Sequence, residues 1–220
     1  MNQRQFDILD SITTQGMLPL FFHADAETSL QATRALYKAG IRVIEYTNRG
    51  PAALENFKLL VKVRQQEMPD LFLGIGTIKT VTEAASFINA GADFLIAPIV
   101  NPEVAQLAER HDLLWCPGCM TPTEISIAQR HGAKLIKLFP ANILGPGFLS
   151  AVKEVFPGQL FMPTGGVELN EDNIGTWFKA GVCAVGMGSK LVTREILEKQ
   201  LFEQLYIDTQ KALSLVQAAR

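Results

Sequence analysis

The sequence has little of what marks a secreted or membrane protein. It contains only three cysteines among 220 residues, an odd number that argues against a disulfide framework and is typical of a reducing cytoplasm. No apolar run approaches the ~18 residues that a membrane-spanning helix needs. Residues 1–7 lack the apolar stretch of a signal peptide. We therefore expect a cytoplasmic protein that does not bind membranes.

A strong charge of one sign is also missing. The formal net charge is −2 and no segment is markedly basic, so nucleic acid is not an expected partner. The histidines do not cluster with carboxylates as metal ligands do, and only Mg²⁺ held by carboxylates alone stays open as a metal. Hydrophobic residues make up 48% of the chain. That is enough for one core, and we expect a single domain over residues 1–220.

A glycine recurs where amphipathic runs end and apolar runs begin, at Gly40, Gly91, Gly132 and Gly181. Glycine just past a helix end supplies the left-handed C-cap, and the apolar run that follows has the composition of a buried parallel strand. With the intervening apolar runs, the pattern predicts eight strands, at 17–22, 42–46, 71–76, 93–97, 113–116, 134–139, 160–163 and 183–186.

Helix-start signals follow the predicted strands. Capping boxes are expected at Thr80 with Glu83 and at Thr121 with Glu124. Prolines suited to a first helical turn are Pro51, Pro102 and Pro146.

The alternation of strands and helices predicts an α/β fold, a (β/α)8 TIM barrel with an extra helix at 3–14 and a long C-terminal helix at 194–218. A doubly wound open sheet is the alternative, but the turn after the first strand lacks its glycine-rich fingerprint. In such barrels the active site lies at the C-terminal ends of the strands.

Lys137 is the first candidate for chemistry, because it lies near the end of the sixth predicted strand. Strand alternation places Leu135, Lys137 and Phe139 on one face. If that face is the barrel interior, loss of water favours the neutral amine, which is a nucleophile. A lysine that snorkels to solvent is an equally good interpretation of the local sequence.

Glu45 is the second candidate, near the end of the second predicted strand. A carboxylate in a buried strand needs a partner, and Arg49 or Lys137 would supply one. The local sequence supports a structural ion pair as well as it supports a general base across the barrel from the lysine.

Glycine-rich turns at 164–166 and 186–189 follow the seventh and eighth predicted strands. Loops at these positions in barrels often bind phosphate through backbone N–H groups. The segment 74–77 ends the third strand, and Thr77 offers a hydroxyl to a carboxylate. On its own, that segment is better explained as a β-bulge.

Cys116 and Cys119 form a Cys-x-x-Cys spacing of the kind found in redox and metal sites. No second Cys/His pair is present to complete a zinc site. The Cys-x-x-Cys segment also lies late in the predicted series of barrel strands. Redox chemistry is therefore the minor interpretation.

Five strand-end segments occur in order: Ile-Glu-Tyr-Thr-Asn-Arg at 44–49, Gly-Ile-Gly-Thr at 74–77, Pro-Gly with Thr-Pro-Thr-Glu within 117–124, Lys-Leu-Phe-Pro-Ala at 137–141 and Pro-Thr-Gly-Gly-Val at 163–167. No single segment is specific, but the ordered set resembles the 2-keto-3-deoxy-6-phosphogluconate / 4-hydroxy-2-oxoglutarate (KDPG/KHG) aldolase family. The resemblance covers nearly the whole chain. It implies a homotrimeric class I aldolase without metal or cofactor, which cleaves a 2-keto-4-hydroxy acid to pyruvate and an aldehyde.

The resemblance also implies a role for each matching position. Lys137 becomes the Schiff-base lysine and Glu45 the acid/base group. The implied substrate-binding positions are Arg49 and Thr77 for the pyruvate carboxylate, Pro98 with the Pro117-Gly118 turn as lining, and Thr164, Gly165, Gly166, Gly188 and Ser189 towards a distal phosphate. For KDPG, an Entner–Doudoroff intermediate, the aldehyde is glyceraldehyde 3-phosphate.

Three features depart from the family pattern. Asn142 stands where many relatives have Glu, Lys190 stands where others have an aromatic residue, and Cys116 and Cys119 are additional. These departures concern the half of the site that would bind the aldehyde end of the substrate. The sequence therefore does not choose among KDPG, its galactonate epimer and hydroxyoxoglutarate as the substrate. A barrel isomerase or epimerase and a non-catalytic keto-acid-binding barrel are the alternatives of other classes.

Overall fold

The computed structural model describes residues 1–220, in which parallel strands alternate with helices. The strands are β1 (Met17–Phe21), β2 (Val43–Thr47), β3 (Phe72–Gly76), β4 (Phe94–Ile96), β5 (Leu114–Cys116), β6 (Gly118–Cys119), β7 (Leu135–Leu138), β8 (Leu160–Pro163) and β9 (Val185–Met187). The helices are α1 (Gln3–Gln15), α2 (Ala26–Lys38), α3 (Ala53–Glu67), α4 (Val81–Asn89), α5 (Pro102–Arg110), α6 (Pro122–Arg130), α7 (Ala141–Val152), α8 (Glu171–Ala180), α9 (Arg194–Glu198) and α10 (Phe202–Ala218). None of these helices is both long and apolar enough to cross a lipid bilayer.

The strands form two curled sheets in which every pair is parallel. One sheet has six strands in the order β5-β4-β3-β2-β1-β9, and the other has the order β6-β7-β8. Only Pro117 separates β5 from β6. A parallel bridge joins Thr164, just after β8, to Gly186 of β9. The two sheets therefore approach each other along both edges.

Most predicted bounds lie within one residue of those observed, and three features differ by more. The fifth predicted strand ends at Cys116 as expected, but a two-residue strand that was not predicted, β6, follows Pro117. Pro117 interrupts the ladder because it has no N–H to donate. The last strand begins at Val185 rather than at 183. The predicted C-terminal helix is two helices, α9 and α10, separated near Gln200, whose φ of 54° is left-handed and ends a helix.

Most of the predicted helix starts are confirmed. Both capping boxes form, at Thr80 and at Thr121, and Pro102 is the first residue of α5. Pro51 instead lies before α3 rather than in its first turn. Pro146 follows a break inside α7, where it suits the start of the second half.

Buried apolar side chains form two cores on opposite faces of the strands. The larger core has 51 buried residues between strands and helices, and the smaller has 12. The smaller core takes side chains from both sheets and from Ile8, Leu9 and Ile12 of α1. It therefore fills the space between the two curled sheets and is called the interior core. Helix α1 covers this space at the amino-terminal ends of the strands.

One buried carboxylate ties α1 and α3 to the sheet at this end. Asp93 is 1% exposed and accepts the Leu73 N–H at 2.7 Å. It also pairs with Arg4 of α1 and Arg64 of α3. Because a buried carboxylate is costly unless it is paired and hydrogen-bonded, Asp93 fixes the position of the helix that closes the interior.

Replacing Asp93 with Asn should lower the free energy of unfolding by about 2–4 kcal/mol, because it leaves Arg64 without its anion in a buried setting. Urea unfolding followed by circular dichroism measures this loss. Asp10→Asn is the matched control, since Asp10 is exposed on the same helix α1. Equal midpoints for the two variants would contradict this role of Asp93.

Candidate active site

Lys137 and Glu45 meet inside the sheets, two residues further along their strands than members of the interior core. Lys137 Nζ lies 3.5 Å from Glu45 Oε1, and the side chains are 5% and 1% exposed. Lys137 therefore does not snorkel to solvent, and it, rather than Arg49, is the cation that faces Glu45. The other carboxylate oxygen, Oε2, is buried without a hydrogen-bond partner. A buried oxygen without a donor is costly, and it is free to accept a proton from a bound molecule.

The neighbouring strand β3 makes room for the Glu45 side chain. β2 and β3 pair in unbroken register through Thr47 and Gly76, so the β-bulge interpretation of this segment is wrong. A methyl group on Gly76 would lie 1.8 Å from Glu45 Oε1, and one on Gly74 would lie 2.2 Å from the Phe94 ring. Gly76 is therefore required for the carboxylate to lie where it does.

On the other side of the pair, β6 and β7 bring lining groups to the lysine. Gly118 is the register partner of Lys137, and an added Cβ there would lie 2.5 Å from the Pro98 carbonyl oxygen. The Phe139 ring centroid lies 5.5 Å from Lys137 Nζ, and Leu135 belongs to the interior core. The predicted common face of these strand residues is confirmed. Phe139 was not predicted as a site residue, although alternation already placed it beside the lysine.

Thr77 and Arg49 follow β3 and β2 at the same end of the sheet. Thr77 has a φ of 63°, which is rare for a β-branched residue. Such strain persists mainly where the surroundings fix the backbone for function. Arg49 is exposed, and ion pairs form at other arginines instead. Its guanidinium is available to an anion at the rim.

The turns after β8 and β9 present unpaired polar groups. The Thr164 hydroxyl is buried without a partner and packs so closely on Gly186 that an added Cβ there would be 2.3 Å away. The backbone N–H groups of Gly165, Gly166 and Ser189 have no acceptor within the chain. Free N–H groups in a turn are donors for an anion.

The side chains of Cys116 and Cys119 do not face each other. Cys116 belongs to the smaller core, inside the sheets, and Cys119 to the larger core, between strands and helices. Their side chains therefore point to opposite faces of the sheet. Both thiols are free. Burial raises the pKa of the Cys119 and Cys183 thiols to about 12, and that of Cys116 also rises through burial. This geometry does not fit a redox pair.

Every other lysine–carboxylate ion pair in the molecule is exposed. A cavity of about 420 Å³ lies between α1 and α10, lined among others by Asp10, Arg42 and Arg220, but it contains no buried acid–base pair. No group of three or more His, Cys, Asp or Glu side chains is placed to hold a metal ion. His111 and His131 are C-cap residues that precede strands, at the end away from Lys137.

Comparison with known proteins identifies the family of the chain. The family model described as KDPG and KHG aldolase matches residues 8–206. The chain is 32% identical to the 2-dehydro-3-deoxy-phosphogluconate aldolase of Treponema pallidum, over 95% of this chain and 97% of that protein. It is 32% identical to a probable 2-dehydro-3-deoxy-6-phosphogalactonate aldolase of Rhizobium meliloti, over 71% of this chain and 72% of that protein.

A solved structure gives a similar result. The KDPG aldolase of Legionella pneumophila, with pyruvate captured as a covalent carbinolamine, has a TM-score of 0.85 and 26% identity. The alignment covers 95% of this chain and 97% of that one. The chain belongs to the KDPG and KHG aldolase family, and it is a carbon–carbon lyase.

All three thiols should resist labelling in the native protein. With a pKa of about 12, about one Cys119 or Cys183 thiol in ten thousand is ionised near pH 8. Ellman's reagent followed by mass spectrometry should detect almost no adduct before unfolding and three adducts after it. Rapid native labelling of Cys116 and Cys119, or a disulfide between them after mild oxidation, would restore the redox interpretation.

Proposed function

We propose that this chain is a class I aldolase that cleaves a 2-keto-4-hydroxy acid, with KDPG as the leading substrate, to pyruvate and an aldehyde. The observation that carries the proposal is the buried pair of Lys137 and Glu45, 3.5 Å apart at the carboxyl ends of their strands. A buried amine beside a buried carboxylate provides a nucleophile and a proton acceptor in one site.

Lys137 begins the reaction by attacking the C2 ketone. Transfer of its proton to Glu45 gives the neutral amine, whose lone pair forms a carbinolamine at C2. Glu45 returns that proton to the carbinolamine hydroxyl, so that water leaves and a protonated imine forms as a covalent intermediate on the enzyme. Glu45 is then a carboxylate again. The protonated imine withdraws electrons from the C3–C4 bond.

Glu45 then acts as the base for bond cleavage. Its oxygen Oε2, which has no partner in the chain, accepts the C4 hydroxyl proton directly or through water. The C3–C4 electrons move into the imine to give an enamine, and C4 leaves as the aldehyde. Return of the proton to C3 and hydrolysis of the imine release pyruvate and restore Lys137.

We assign the remaining contacts by position at the rim. Arg49 and Thr77, which follow adjacent strands, bind the pyruvate carboxylate, and Pro98 lines the site through its close approach to Gly118. The distal group lies towards the turns after β8 and β9, where the assigned residues are Thr164, Gly165, Gly166, Gly188 and Ser189. The unpaired N–H groups of these turns favour an anionic tail, a phosphate or a second carboxylate.

We further propose that residues 1–220 form one domain, a closed (β/α)8 barrel in which β5 and β6 are one interrupted strand. The Thr164–Gly186 bridge and the hydrogen bond from Cys183 N to Phe161 O at 3.0 Å support closure at the second edge. The interior core, which takes residues from both sheets, supports it too.

A homotrimer in the cytoplasm completes the proposal. Ile99, Met120 and Ile143 are 46%, 40% and 65% exposed. Ile99 follows β4, Met120 follows β6, and Ile143 lies in the first turn of α7 after β7. Exposed apolar side chains on one rim favour contact between copies of the chain. Three free cysteines support a reducing compartment.

Borohydride reduction in the presence of pyruvate should attach one reduced adduct, and peptide mapping should locate it on Lys137. Lys137→Ala should abolish the adduct and lower pyruvate release from KDPG at least about a thousandfold. Lys134→Ala is the matched control, because Lys134 is an exposed lysine just before the same strand. An adduct on another lysine, or near-normal turnover by Lys137→Ala, would refute the Schiff-base assignment.

Gly76→Ala should lower kcat/KM about a hundredfold, because the added methyl group displaces the Glu45 carboxylate from its position. Steady-state kinetics measures the loss, and borohydride trapping should still label Lys137. The matched control is Gly175→Ala in α8, where an added Cβ meets no heavy atom within 4 Å. Normal turnover by the folded Gly76→Ala protein would show that Glu45 need not occupy this position.

A further inference from the structure

An exposed ion pair bridges the turns after β8 and β9. Lys190 Nζ lies 3.2 Å from Glu168 Oε1, and the two side chains are 56% and 51% exposed. Glu168 follows the 165–166 glycine turn, and Lys190 follows Ser189 directly. Because an exposed pair of this kind contributes little stability, folding energy does not account for its position.

The backbones on both sides of this pair are held in place. Asn173 of α8 accepts the Glu168 N–H at 3.0 Å and donates to the Gly166 carbonyl at 3.3 Å. The turn after β9 is closed by two hydrogen bonds of 2.9 Å to the Gly188 carbonyl. The two turns are therefore fixed, while the Lys190 and Glu168 side chains extend into solvent and are free to change partners.

An anion that reaches the unpaired N–H groups of Gly165, Gly166 and Ser189 meets the turns that lead into both charged residues, since Glu168 is two residues after Gly166 and Lys190 is next to Ser189. Glu168 repels it and competes with it for the ammonium group. Lys190 attracts it and forms a charge-assisted hydrogen bond on leaving Glu168. The attraction increases with the charge of the anion, and a phosphate monoester carries about −1.5 to −2 at neutral pH.

We propose that Lys190 is a specificity-determining residue, which exchanges Glu168 for the distal phosphate of the substrate and so selects phosphorylated keto acids. The inference rests on the proposed aldolase function, and it concerns only the distal end of the substrate. Glu168 holds the ammonium group over the turns when no phosphate is bound. A single carboxylate gains less from the exchange, and an uncharged hydroxyl gains nothing.

The test compares cleavage of KDPG with cleavage of 2-keto-3-deoxygluconate, which lacks the phosphate. Lys190→Met should lower kcat/KM for KDPG about tenfold, mainly through a higher KM, and so reduce the preference for the phosphorylated acid. Glu168→Gln should raise that preference a few-fold, because the competing anion is lost. Both effects should shrink at high ionic strength, since they act between exposed charges.

Two control variants separate charge selection from general damage. Lys190→Arg keeps the charge and should keep most of the preference, and Lys211→Met removes an equivalent exposed charge from α10. A wild-type protein that cleaves neither these two acids nor the galactonate epimer of KDPG nor hydroxyoxoglutarate would refute the proposed function itself. Normal wild-type turnover with an unchanged preference in Lys190→Met, or an equal loss on both substrates, would overturn only the role of Lys190.

Discussion

The constraint on which the rest of the site depends is the burial of one lysine and one glutamate together. Removing two charges from water costs several kcal/mol per ion, and their attraction offsets this only when they are close and hydrogen-bonded. Lys137 and Glu45 are 3.5 Å apart, longer than the about 2.7–2.9 Å of a strong charged hydrogen bond. The two charges are therefore close enough for their attraction to offset part of the cost of burial. Because they are not tightly hydrogen-bonded and one Glu45 oxygen is unpaired, both groups can still react with a bound molecule.

The surrounding strands are adapted to this pair rather than to tight packing. Gly76 leaves the space that the Glu45 carboxylate occupies, and Gly118 leaves the backbone beside Lys137 uncovered. Below them, the interior core and α1 exclude water from the amino-terminal side. The buried carboxylate of Asp93 holds α1 there through Arg4 and α3 through Arg64. Stability is therefore concentrated at one end of the strands and chemistry at the other, as is usual for parallel α/β barrels.

The sequence predicted the elements whose signals are local. Alternation along β7 placed Lys137 on one face with Leu135 and Phe139, and capping boxes identified two helix starts, because each signal lies within a few residues. The partnership of Glu45 with Lys137 was only one of two options, since it depends on a contact between residues 92 apart in sequence. Gly76 was misinterpreted for the same reason, because the side chain that requires a glycine there lies on the neighbouring strand. The strand β6 after Pro117 was missed because two residues are too few to show an apolar pattern.

The two halves of the proposed site use different chemical groups, side chains in one half and backbone N–H groups in the other. This difference determines how substrate specificity arises. The proposed pyruvate half consists of strand-end side chains, and sheet register sets the positions of Lys137 and Glu45 within it. The proposed distal half consists of unpaired backbone N–H groups in fixed turns, which are suited to anions in general, flanked by exposed side chains such as Lys190 and Glu168. Exposed side chains tolerate substitution at little cost in stability. Discrimination among keto acids that share the pyruvate end can therefore change through these side chains while the bond-breaking groups stay the same, and relatives named for both gluconate and galactonate derivatives are consistent with this division.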